Sequence, residues 1–202
     1  MVEKTDTHKS LIIKMKNEIE KLDASTNKFI LLKDFIVNNE ISKAKFTKLF
    51  PNDRGIYALW LIQDLDTQLN LDVQFKGPRN KENIYISSNY SKIEKPFKYQ
   101  CLYIGKTTNF KNRISMHLML GTKDWYSGKT ATNSILKRNT QCQFRAGFEH
   151  ILKNSKCSDN RELMINSVGL SFVPKESFED RFFLENLAIG YYKPWFNLDS
   201  ER

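Results

Sequence analysis

The chain has 202 residues, 40% hydrophobic and 12% aromatic, which suffice for one core of ordinary size or a compact domain with an extension, and exclude a large multidomain machine. With 32 Lys and Arg against 23 Asp and Glu, the formal charge is +9 and the pI about 9.4, so a polyanion, nucleic acid first, is the expected partner. No window supplies the roughly 18 uninterrupted apolar residues of a bilayer crossing, and the amino terminus lacks the pattern of a secretory signal. The expectation is a soluble, cytoplasmic protein with no membrane partner. Cys101, Cys142 and Cys157 are an odd, widely spaced set without a CxxC pair, and read as reduced, mostly buried thiols.

In chain order, Leu11, Ile12, Ile13, Met15, Ile19 and Leu22 recur at helical spacing and predict a helix over Ser10–Leu22. A second is predicted over Lys28–Val37 and a third over Ile41–Phe50, ended by the turn chemistry of Pro51 to Gly55, so residues 1–50 read as a helical extension. His8 falls in an amino terminus expected to fray. The pattern then turns to β, with strands over Gly55–Ile62, Asn83–Ser87 and Tyr99–Gly105 and an insertion at about 63–98. Thr108 or Asn109 caps a helix to about Leu120. Further helices are expected at Ala131–Leu136, Cys142–Asn154 and Phe178–Tyr191, and a strand at Leu170–Val173.

The chemistry is carried by separated blocks: Gly55-Ile56-Tyr57, Tyr103-Ile104-Gly105, Arg113 with His117, Glu185, and Lys193-Pro194-Trp195-Phe196-Asn197. Two given tripeptides meet by chance in a chain this long with a probability below roughly one in a thousand. In order and context, over about residues 53–199, the blocks resemble the GIY-YIG nuclease superfamily, most closely its stand-alone type II restriction endonucleases. The resemblance implies an α+β fold: a small core with a three-stranded, mainly antiparallel sheet flanked by helices, forming a nuclease domain over 51–202. It departs from the family between the tripeptides, where 45 residues part Tyr57 from Tyr103 instead of ten to twenty.

Phosphodiester cleavage needs an activated water, neutralisation of the non-bridging oxygens and help for the leaving oxygen. Arg113 offers a permanently charged planar fork, and His117, four residues on, shares its helix face. The resemblance implies that Glu185 is the side-chain ligand of one Mg²⁺ (or Mn²⁺) ion and that Tyr57 and Tyr103 reach the scissile phosphate. By the same likeness Tyr57 is the candidate general base; His117 relaying or removing its proton stays open beside it. Lys106 is the candidate for holding a DNA phosphate or polarising the site, and Asn197 for orienting Glu185 or a strand of the core.

Taken singly, each residue has a structural explanation. The tyrosines read as half-buried strand aromatics, Arg113 as a solvated helix charge, His117 as a packed imidazole, and Glu185 as an exposed carboxylate beside Glu179 and Asp180. Their joint order reverses that reading. His150, after Arg145-Ala146-Gly147-Phe148-Glu149, is evenly balanced between a DNA contact and an ordinary helix face. The cations of the insertion (Lys76, Arg79, Lys81, Lys92, Lys95, Lys98) read as a DNA-tracking loop or a solvated one. The brevity of the sequence after Asn197 favours a restriction enzyme over repair and homing members of the superfamily, with a methyltransferase as companion. Cutting both strands of duplex DNA with one centre per chain implies a homodimer. A phage or mobile-element nuclease of low specificity and a non-catalytic DNA-binding protein stand as alternatives.

Overall fold

A computed structural model gives the fold; it describes residues 3–24, 29–38, 40–62, 73–76, 83–86, 98–118, 144, 145, 148 and 160–197. The elements run α1 (Glu3–Glu20), β1 (Ile30–Leu31), β2 (Ile36–Val37), β3 (Glu40–Ile41), α2 (Lys43–Leu49) and β4 (Gly55–Leu61). They continue with β5 (Val73–Lys76), β6 (Asn83–Ile86), β7 (Gln100–Thr107), α3 (Phe110–Leu118), α4 (Asn160–Ser167), β8 (Val168–Pro174) and α5 (Phe178–Tyr192). The chain is of mixed α+β class. Among the described residues no helix is long and apolar enough to cross a membrane.

The central sheet has four strands in the order β1-β8-β4-β7, every neighbour antiparallel. β4 lies inside it and is buried on both faces, which is why its sequence is an unbroken apolar and aromatic run. Tyr57 and Leu59 face one core with Tyr103, Phe110 and Ile114, whereas Ile56, Ala58 and Trp60 face a second with Ile19, Leu22, Leu184 and Ala188. α3 covers the first core and α1 with α5 the second. Buried polar groups in the second core are matched: Trp60 Nε1 donates to Ser171 Oγ at 2.9 Å, and Ser171 donates to the Leu22 carbonyl at 2.6 Å.

The structure corrects the extension. In place of a helix over Lys28–Val37, Ile30–Leu31 pair with Leu170 and Gly169, Leu32–Asp34 form one 3-10 turn, and Ile36–Val37 pair with β3. Phe29 to Leu32 and Phe35 to Val37 are apolar runs too short for periodicity to separate strand from helix, and the outer edge of β8 decides by offering unpaired backbone groups. Asn38, at φ 50°, supplies the left-handed turn after β2. The expected three-stranded sheet is therefore four-stranded. α1 starts at Glu3 and includes His8, and the insertion carries a separate two-stranded ladder, β5-β6. Cys101 is a buried, free thiol. The helix expected at Ala131–Leu136, most of that at Cys142–Asn154, Arg79, Lys81, Lys92, Lys95, His150, Cys142 and Cys157 lie outside the described residues.

Candidate active site

The β4–β7 register sets Tyr57 opposite Gly105 and Leu59 opposite Tyr103, so the two tyrosines are diagonal neighbours on one face with ring centroids 6.1 Å apart. The two tripeptide glycines have steric reasons. A Cβ on Gly105 would lie 2.5 Å from Tyr57 Oη and 2.7 Å from its Cζ, so the phenol rests where any side chain would be. At Gly55, a Cβ would lie 2.3 Å from the Val173 carbonyl oxygen of the adjoining strand.

α3 begins where Asn109 Oδ1 accepts the Asn112 amide at 3.0 Å, while Thr107 Oγ1 accepts that of Asn109. Phe110, Ile114, His117 and Leu118 form its buried stripe, and this fixes the direction of Arg113. Arg113 Nε donates to Tyr57 Oη at 3.1 Å and Nη2 to Tyr103 Oη at 3.2 Å, so one guanidinium bridges both phenols. His117 Nε2 lies 2.5 Å from Tyr57 Oη. Burial first, then the positive charges of Arg113 and Arg145, hold the imidazole well below its usual pKa and keep it neutral. In the tautomer that leaves Nε2 unprotonated, the Tyr57 hydroxyl donates to it while accepting from Arg113. The Arg113 pKa is raised, although burial alone would lower it, because both phenols favour its charged form.

Glu185, on α5, sits at the other side of the Gly105–Lys106 peptide. Its Oε1 accepts the Lys106 amide at 2.9 Å, and its Oε2 pairs with the Lys106 ammonium. Together with the Tyr57–Gly105 contact, this bounds the separation of Tyr57 Oη and Glu185 Oε1 at roughly 10 Å. The structure thus joins Tyr57, Tyr103, Arg113 and His117 directly, and sets Lys106 with Glu185 one peptide away. Asn197 is elsewhere. Its Oδ1 accepts the Ile104 amide at 2.7 Å and its Nδ2 donates to the Ile104 carbonyl at 2.6 Å, closing the free edge of β7 as a further strand would. It holds the strand at Ile104, between Tyr103 and the Lys106 contacts of Glu185, and makes no hydrogen bond to Glu185.

Three residues escape the sequence reading. Phe144 packs its ring 5.7 Å from His117 and 6.3 Å from Tyr103, Arg145 adds to the burial and the Arg113 charge that lower the His117 pKa, and Phe182 lies under the Lys106 ammonium at 5.3 Å. Only Phe182 carried a signal, being three residues before Glu185 on the same helix. Comparison with protein-family models, with curated proteins and with solved structures finds no match to this chain.

Proposed function

We propose that the chain is a GIY-YIG-type endonuclease, hydrolysing phosphodiester bonds of double-stranded DNA with a divalent ion, site-specific in the manner of a type II restriction enzyme. The observation that carries this reading is one guanidinium hydrogen-bonded to two phenols from adjacent strands, with a carboxylate across the next peptide. A fold needs no such cluster for stability. Leaving phenols, guanidinium and imidazole together in a buried site is costly unless every group is matched, and such arrangements gather where chemistry is done.

Glu185 fits the implied metal. It is a hard oxygen donor whose two oxygens retain acceptor capacity beyond the Lys106 contacts, which suits a Mg²⁺ or Mn²⁺ ion that keeps most of its waters. Among the described residues no three His, Cys, Asp or Glu side chains gather as a metal cluster, and a one-carboxylate site needs none. Lys106, 34% exposed, has room to turn from Glu185 toward a phosphate. When bound, the ion lowers the pKa of a water and offsets charge on the phosphate. The chain's own groups do the rest: Tyr57 Oη accepts a proton from the attacking water as its own passes to neutral His117 in the same transfer, and Arg113 orients both phenols with two of its five N–H donors, directing the guanidinium charge to phosphate oxygens. A homodimer on DNA sets two such centres against two antiparallel strands.

Supercoiled plasmid incubated with the purified protein and Mg²⁺ tests the reading. Discrete fragments, lost on chelation, are expected. A smear would replace site specificity by a nonspecific nuclease, and intact plasmid with bound protein would leave a DNA-binding protein on this scaffold.

A further inference from the structure

α5 carries Phe178, Phe182, Phe183, Leu187 and Tyr191 exposed, most of the large apolar residues that the described surface leaves in solvent. They do not form one face. Successive spacings of four and three place Phe178, Phe182 and Glu185 along one edge of the helix, whereas Phe183, Leu187 and Tyr191 run along another at intervals of four.

The first edge adjoins the candidate active site. The Phe178 and Phe182 rings are near parallel, with centroids 6.4 Å apart and planes at 23°, and the residues are 61% and 45% exposed. Lys106 Nζ stands 5.3 Å from the Phe182 centroid while pairing with Glu185, so the rings and the groups proposed to meet phosphate share one ammonium. A phenyl face has no hydrogen bond to offer; it is stabilised by a cation or by a flat π surface laid upon it. Beside a phosphate site, the flat surface one sugar away is a nucleobase.

Resting on the nuclease reading, we propose that Phe178 and Phe182 are a stacking platform for a nucleobase next to the scissile phosphate, and that this base is unstacked from the duplex when the strand is cut. Within B-form DNA both faces of a base are covered by its neighbours, so only an unpaired or extruded base can lie on the platform. The substrate is thereby a locally opened strand, and single-stranded DNA is a ligand in its own right. Phe178 and Phe182 are specificity-determining residues, acting on the base while Arg113 and Glu185 act at the phosphate.

Two fluorescein-labelled 20-nucleotide probes test this in EDTA by anisotropy: oligothymidylate, and the same backbone with four central abasic sites. The wild type is expected to bind the thymidylate about 5–100-fold more tightly than the abasic probe. Phe182→Ala and Phe178→Ala should each reduce that preference at least severalfold, and Phe182→Trp should retain it. Neither residue belongs to either core, so truncation leaves the cores intact, which circular dichroism checks. A full base preference in both alanine variants overturns the platform. So does a wild type without preference that still cuts plasmid in Mg²⁺, which leaves the nuclease reading standing. A wild-type dimer made monomeric by Phe182→Ala in sedimentation would assign the rings to a second copy and also overturn it. A protein that binds neither probe and leaves plasmid intact removes the nuclease reading, and the platform with it.

Discussion

Arg113→Lys is expected to slow plasmid cleavage by about 10²–10³-fold while DNA affinity stays within a few-fold of the wild type. Lysine keeps the charge but is a point donor; it cannot bridge Tyr57 Oη and Tyr103 Oη from the position that a planar fork spans at 3.1 and 3.2 Å. Charge alone is therefore insufficient, and single-turnover rates compared with anisotropy titrations measure the difference. Arg113→Ala goes further. It removes one of the two positive neighbours that depress the His117 pKa, so the acid limb of any residual activity moves to higher pH than in the wild type. An unchanged rate in Arg113→Lys would show that the bridge over the phenols has no part in the reaction.

Gly105→Ala carries the second large effect, on folding and cleavage together. The new methyl meets Tyr57 Oη at 2.5 Å and Tyr103 Cε1 at 3.0 Å. A tyrosine tip elsewhere would swing away, but Tyr57 is fully buried against Phe110 and His117, with ring centroids at 5.4 and 5.6 Å. The phenol must leave its hydrogen bonds to His117 and Arg113 or force β4 from β7. A stability loss of about 1–3 kcal/mol is expected from overpacking, read as a fall of several degrees in Tm, with cleavage reduced at least about 100-fold. Gly190→Ala is the control: a Cβ there meets nothing within 4 Å, so it leaves cleavage unchanged and raises stability by up to about 1 kcal/mol through the helix propensity of alanine. Equal tolerance of both substitutions would remove the steric account of the second tripeptide.

What could be read from the sequence was what local pattern controls. The run from Gly55 to Leu61 is a strand because it is buried on both faces, and Arg113 and His117 share a helix face because they are four residues apart. β1 was hidden because Ile30 and Leu31 become a strand only against Gly169 and Leu170, which lie far along the chain. The role of Gly105 was hidden for a related reason: a strand-end glycine is visible, but the phenol above it arrives by cross-strand register. For Asn197 the sequence leaves open whether it orients Glu185 or a strand of the core, because the free edge of β7 at Ile104, which it holds, forms only in the folded sheet. Phe182 lies three residues before Glu185 on the same helix, but its place beneath the Lys106 ammonium follows from the packing of α5 against β7.

In the proposed reaction Glu185 and the Tyr57–Arg113–His117 cluster act on one phosphate with a divalent ion. The most direct test is the Mg²⁺ dependence of plasmid cleavage by Glu185→Gln beside the wild type. Glutamine keeps the shape and can still accept the Lys106 amide, yet loses the charge that holds a cation. The Glu185→Gln protein is expected to fold, to bind DNA as the wild type does and to cut none at any Mg²⁺ concentration; cleavage at the wild-type rate would overturn the proposed metal-dependent reaction.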